Sequence, residues 1–173
     1  MVSFYTRAPE RVTIASSLSQ PQTSKPDVNG LPPETLAFAE RMFEAARSGR
    51  DEELLAAVDA GLPANLTNHK GNTLLMLAAY AGHEKLTREL LKRGADPNRP
   101  NDLGQSIVAG AAFKGHVDVV KALVDKNADP RVGVPTAIQT ALMFNRIDIL
   151  DILGATEEDR KAEVPKLPSV VPS

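Results

Sequence analysis

Cysteine is absent from all 173 residues, and so is tryptophan. The first absence excludes disulfides, thiolate metal sites and thiol nucleophiles together, and it agrees with a reducing compartment. The second belongs to a general scarcity of rings. Five Phe and two Tyr make up 4% of the chain, whereas hydrophobic residues in total reach 42%. A core drawn from this stock must be Ala, Leu and Val packing, which suits closely stacked short helices better than a thick sandwich of sheets. No apolar run approaches the ~20 residues of a membrane-spanning helix. Neither sign of charge dominates, with a formal net charge of −2. The chain therefore lacks the global electrostatic footprint that nucleic acid or an anionic membrane would demand. One domain with an adequate core is expected at this length, and two are not.

What is present is a repeat. The segment from Asn68 reads NHKGNTLLMLAAYAGHEKLTRELLKRGADPNRP, and the segment from Asn101 reads NDLGQSIVAGAAFKGHVDVVKALVDKNADPRVG. Gly71 and Gly104, Gly82 and Gly115, His83 and His116, and Asp96 and Asp129 are each 33 residues apart. A period in this range marks stacked supersecondary units, each too small to bury its own apolar face. Within a unit, Thr73 through Ala81 reads as an Ala-rich first helix, Gly82 as a turn, Glu84 through Arg93 as a second helix, and Gly94 as its stop. Gly61, Gly94 and Asn127 keep the same spacing. Glycine is the preferred left-handed helix terminator and asparagine the next best. Upstream, Leu36, Phe38, Ala39, Met42, Phe43, Ala45 and Ala46 follow a helical period opened by Pro32-Pro33, and Asp51 is placed to cap the helix carrying Leu54 to Val58.

These residues resemble the ankyrin repeat. The family pattern is matched by Leu77-Ala78-Ala79, Gly82-His83, Leu90-Leu91 and Gly94-Ala95-Asp96, and again by Ala111-Ala112, Gly115-His116, Val119-Val120 and Asn127-Ala128-Asp129. The resemblance covers about 34–154 and implies an all-α solenoid of about four helix-turn-helix repeats (34–66, 67–99, 100–132 and 133–154), the first and last atypical. Departures are specific. The family's Thr-Pro-Leu-His reads Thr73-Leu74-Leu75-Met76, Ser106-Ile107-Val108-Ala109 and Thr136-Ala137-Ile138-Gln139. The family's Thr–His hydrogen bond is thus unavailable, which implies weaker interlocking of the units. Asp96 to Ser106 is 10 residues but Asp129 to Thr136 only 7, so a shorter third loop is expected, with Gly133 and Pro135 in a tight turn.

Chemistry-bearing constellations are scarce. Phosphate-loop, dinucleotide, zinc-protease and nucleophile-elbow patterns do not occur. His83 and His116, one repeat apart, should be separated by about 8–10 Å, too far to share a metal whose imidazole ligands sit about 2 Å away. They read as turn residues, and His69, beside Lys70, reads as solvated. Glu157-Glu158 lies in a tail without an enclosing pocket to shift its acidity. No catalytic residue, metal or cofactor is expected, and the chain reads as non-enzymatic.

The resemblance places partner binding on the concave side, at the positions after the Ala-Ala pair. These hold Arg47-Ser48, Tyr80-Ala81, Phe113-Lys114 and, with the deletion, Met143-Phe144. Arg47, Tyr80, Phe113, Lys114, Met143 and Phe144 are therefore candidate contacts, with the loop residues His69, Lys70, Asn72, Asp102, Leu103 and Gln105 as a polar rim. Aromatic rows ringed by charge fit protein interfaces; the alternative reading is that Phe113 and Phe144 tuck back between repeats as core. The function expected is a monomeric protein-binding module, cytoplasmic or nuclear, that uses neither nucleic acid nor membrane. The other reading is a stand-alone structural or regulatory ankyrin protein that self-associates or has no fixed partner surface. Residues 1–30, rich in Ser, Thr, Pro, Gln and Gly, read as disordered, with Arg7 and Arg11 a faint echo of a mitochondrial presequence. Residues 155–173 read as a short helix followed by an extended end in which Pro165 and Pro168 have P-x-x-P spacing.

Overall fold

The structure, a computed structural model, describes residues 32–161. The expected disorder of 1–30 with its presequence-like arginines, and the extended P-x-x-P tail, lie outside the described residues. Within them the chain runs through α1 (Pro33–Ser48), α2 (Asp51–Asp59), α3 (Leu74–Ala81), α4 (Glu84–Lys92), α5 (Ile107–Lys114), α6 (Val117–Val124), α7 (Ala137–Met143), α8 (Ile147–Ile152) and α9 (Glu157–Lys161). The odd-numbered helices α1, α3, α5 and α7 pack side by side as an inner layer, and α2, α4, α6 and α8 follow one another as an outer layer. This is an all-α solenoid of helix pairs, and no strand longer than an isolated Thr67–Thr73 bridge occurs among the described residues.

Local chemistry sets the boundaries. Thr73, Ser106 and Thr136 cap the first helices of their units, each hydroxyl accepting from the backbone N–H three residues on. At the position where the family pattern has histidine, Gln139 reaches back to accept from Thr136 N, completing a capping box. Asp51 does not cap α2. Arg50 holds the N-cap position without a side-chain bond, and Asp51, Glu52 and Glu53 line the first turn, where carboxylates complement the helix dipole. In α4, Leu86, Thr87, Leu90 and Leu91 form one buried stripe, as the helical period requires. Ala45-Ala46, Ala78-Ala79 and Ala111-Ala112 are buried between inner helices, where the missing side-chain bulk lets the backbones approach.

The units are interlocked by polar groups at period 33. Asn65 donates to Gly94 O at 3.3 Å and accepts from Asp96 N at 2.8 Å. Asn98 repeats both bonds, to Asn127 O at 2.9 Å and from Asp129 N at 2.7 Å. His83 Nε2 lies 2.8 Å from Arg47 O, and His116 Nε2 lies 3.2 Å from Tyr80 O. A carbonyl only accepts, so Nε2 is the donor in each of these bonds. Weaker interlocking, inferred from the missing Thr–His bond, therefore has its counterweight: asparagine rungs and histidine latches cross the same seams.

The seam between the first two units is also ionic. Arg93 at the end of α4 bonds Asp59 of the preceding unit through Nε (2.8 Å) and Nη2 (3.2 Å), and Glu89 through Nη1 (2.7 Å). The Arg93 hydrogen bonds hold Asp59 below its ordinary 3.8. Lys92 first, then Arg93, hold Glu89 below its ordinary 4.5. Carboxylates lowered in the fold stabilise it above their unfolded values and lose that contribution as pH falls through the lowered ones. Arg93→Met is accordingly expected to lower the urea midpoint at neutral pH in dilute buffer. The gap from the wild type should close as pH drops below 3.8 and in molar salt, where the screening length is about 3 Å. A gap unchanged by both treatments would mean that Arg93 acts through packing.

Candidate binding groove

Four inner helices side by side, with loops projecting from one end of each pair, leave a groove of about 910 Å³ along α3, α5 and α7. Its wall is an aromatic run. Tyr80 and Phe113 stack with ring centroids 6.4 Å apart and planes 13° from parallel, and Phe144 meets Phe113 edge-on at 4.9 Å and 83°. Both are geometries the ring quadrupole favours. Tyr80 is 47% exposed and Phe113 43%, so neither is tucked into the core, while Phe144 is half-buried. The 33-residue spacing puts Tyr80 and Phe113 in register. Gly110 makes room, since a Cβ there would come within 3.3 Å of the Tyr80 ring.

Ten of the twelve sequence-derived residues line this groove: Arg47, His69, Lys70, Asn72, Tyr80, Leu103, Gln105, Phe113, Met143 and Phe144. Lys114 stands at its edge, with Nζ 5.3 Å from the centroid of the Tyr80 ring. Asp102 turns along the stack instead, its carboxylate lying over the Gly71 backbone while its N–H donates to Lys70 O at 3.1 Å. Asn72 is also engaged, accepting from Asn101 Nδ2 at 2.9 Å. Together these bonds tie the loops before α3 and α5 into a fixed rim. Within each loop an asparagine side chain closes the turn, Asn68 accepting from the N–H groups of Lys70 and Asn72, and Asn101 from those of Leu103 and Gln105. The third loop folds back on the second, Val134 N donating to Gly104 O at 3.0 Å, and so brings Pro135 to the end of the groove.

Missed by sequence reasoning are Met76, Leu77, Ala109, Gly110 and Thr140, which form the floor. All sit on the first helices within four residues of the aromatic column, at i−3 or i−4 from it. That helical neighbourhood was the available signal. Ile107 and Ser106, both buried, also reach the lining from below.

The described residues contain no cluster of three or more His, Asp or Glu able to hold a metal, and no helix among them is long and apolar enough to cross a membrane. The site is an open, aromatic-walled groove on a helical repeat stack. The sequence profile described as "Ankyrin repeats (3 copies)" matches residues 42–134, more than half of the chain, and the chain belongs to the ankyrin-repeat family. Over 55 residues it is 47% identical to a Pseudomonas aeruginosa protein named as an ankyrin repeat protein, a match that covers 32% of each chain. The chain thus matches about a third of that relative's length. Ankyrin repeats generally serve as protein-interaction modules and are generally non-enzymatic.

Proposed function

We propose that this chain is a non-enzymatic adaptor that takes hold of a partner protein in the groove, with Tyr80, Phe113, Met143 and Phe144 as anchors. The observation that carries this reading is the exposed Tyr80–Phe113 stack with Phe144 against it. A chain with only seven aromatic residues sets three of them in one row facing an open groove. Large rings left at the solvent lose little conformational entropy on binding and bring much apolar area, which is why they dominate interface energetics. The fixed loops supply the rim, with His69, Lys70, Leu103 and Gln105 facing the groove. A preorganised rim spares the partner the cost of ordering it. Nothing in such a surface calls for a cofactor, and a cysteine-free chain of this kind fits the cytosol or nucleus.

The test is positional photocross-linking. A benzophenone side chain in place of Phe113 is expected to trap a discrete partner band in extract. The same group in place of Ile147, which is exposed on α8 and outside the groove, should trap none. Equal trapping from both positions would remove the groove from the proposal. Trapping only of a species at twice the 18.5 kDa of the chain would transfer support to the self-associating alternative.

A further inference from the structure

We infer that the segment taken up by the groove is acidic: a short stretch of a partner protein with Asp or Glu beside aromatic or branched aliphatic side chains. The inference rests on the groove reading above and adds the chemistry of the occupant. The charged residues that line the groove are Arg47 and Lys70, and the described lining contains no Asp or Glu. Lys114 adds a further cation at the edge, over the Tyr80 face. This is the reverse of the whole chain, in which 22 acidic residues outnumber 20 basic ones. Acids near the groove are directed elsewhere. Glu44 pairs with Arg47 at 3.2 Å, so the charge of the groove rests on Lys70 and Lys114, and the Asp102 carboxylate lies over Gly71.

An apolar floor between cationic edges sorts its occupants by charge as well as by shape. The apolar walls strengthen the field of Lys70 on the rim and Lys114 at the edge, and these charges raise the encounter rate with anions and slow it with cations. A basic peptide would set like charges against Lys70 and Lys114. A neutral apolar peptide would leave both cations unanswered as the rings desolvate them. An acidic-apolar segment meets both parts of the surface.

Panning a library of random linear peptides on the full chain tests this, with parallel selections on Tyr80→Ser/Phe113→Ser and on Lys70→Glu/Lys114→Glu. All four positions are exposed, and circular dichroism of each variant verifies the fold. Peptides that need Tyr80 and Phe113 are expected to be enriched in Asp and Glu next to ring or branched side chains. They should bind the charge-reversed chain at least about tenfold more weakly. Groove-dependent peptides without acid enrichment, indifferent to charge reversal, would overturn the inference and leave the groove reading standing. Peptides that bind the Tyr80→Ser/Phe113→Ser chain as well as the wild type, or no enrichment at all, would overturn both. Oligothymidylate displacing the selected peptides at lower concentration than they displace each other would overturn the peptide assignment in favour of single-stranded nucleic acid.

Discussion

Gly82→Ala is expected to destabilise the protein by about 1.5–3.5 kcal/mol, lowering the melting temperature by roughly 10 °C. Two costs combine. Gly82 terminates α3 with φ 86°, in the left-handed region, where a Cβ adds about 1–2 kcal/mol. The new Cβ would also stand 2.7 Å from Cε1 of His116, which belongs to the next unit and is bonded to Tyr80 O. The ring must move, and the bond it leaves is worth about 0.5–1.5 kcal/mol. Gly94 separates the two costs. Its φ of 88° is nearly the same, but nothing lies within 4 Å of its Cβ position. Gly94→Ala is accordingly expected to show the backbone cost alone, about 1–2 kcal/mol. Urea titrations of both variants and of His116→Ala complete the comparison. Equal losses at Gly82 and Gly94 would show that the latch contributes nothing.

That latch is also where sequence and structure part company. Gly82, His83, Gly115 and His116 are visible at once as repeated residues, and the helices and their stops follow from them. What the repetition is for is not visible, because the contact joins a glycine to the histidine of the following unit. Gly49 packs on His83 and Gly82 on His116. A unit read by itself shows only a turn. In the last unit Arg146 takes the histidine's place, with its guanidinium over Gly115, so a different residue fills the same slot. The asparagine rungs are hidden in a similar way. Asn65 and Asn98 are 33 apart, yet Asn65 also fits a glycosylation sequon and Asn98 sits in a polar loop, and neither pattern points at a backbone in the next unit.

The groove divides along the same line. Its aromatic wall was legible because Tyr80 and Phe113 keep the period and rings are rare in this chain. Its floor was not, because Ala109 and Gly110 act by being small and leave no positive mark on the sequence. Asn72 and Asp102 look like solvent-facing rim residues from their polarity alone, whereas both are engaged along the stack. The shortened third loop follows from counting residues. Its return onto Gly104 depends on where the second loop stands, and that is a tertiary fact.

Tyr80→Ser combined with Phe113→Ser is expected to weaken binding of a groove-dependent peptide by about 100-fold while moving folding stability by less than about 1 kcal/mol. The two effects separate because both rings are exposed: they lie over the groove and not within the buried cluster of Leu, Ile, Val and Ala that joins the layers. Each ring, truncated alone, should cost about 2 kcal/mol of binding. The pair should cost less than the sum, since removing one ring already deprives the other of its stacking partner at 6.4 Å. Phe38→Ser is the matched control. Phe38 is another exposed aromatic, on α1 with Arg41 over its ring, and it lies outside the groove lining. Fluorescence anisotropy with the selected peptide should therefore find Phe38→Ser indistinguishable from wild type. If Phe38→Ser loses as much affinity as the double variant, exposed rings are acting as general adhesive surface. If the double variant instead melts several degrees lower, Tyr80 and Phe113 support the stack, and the anchors must be sought among the loops.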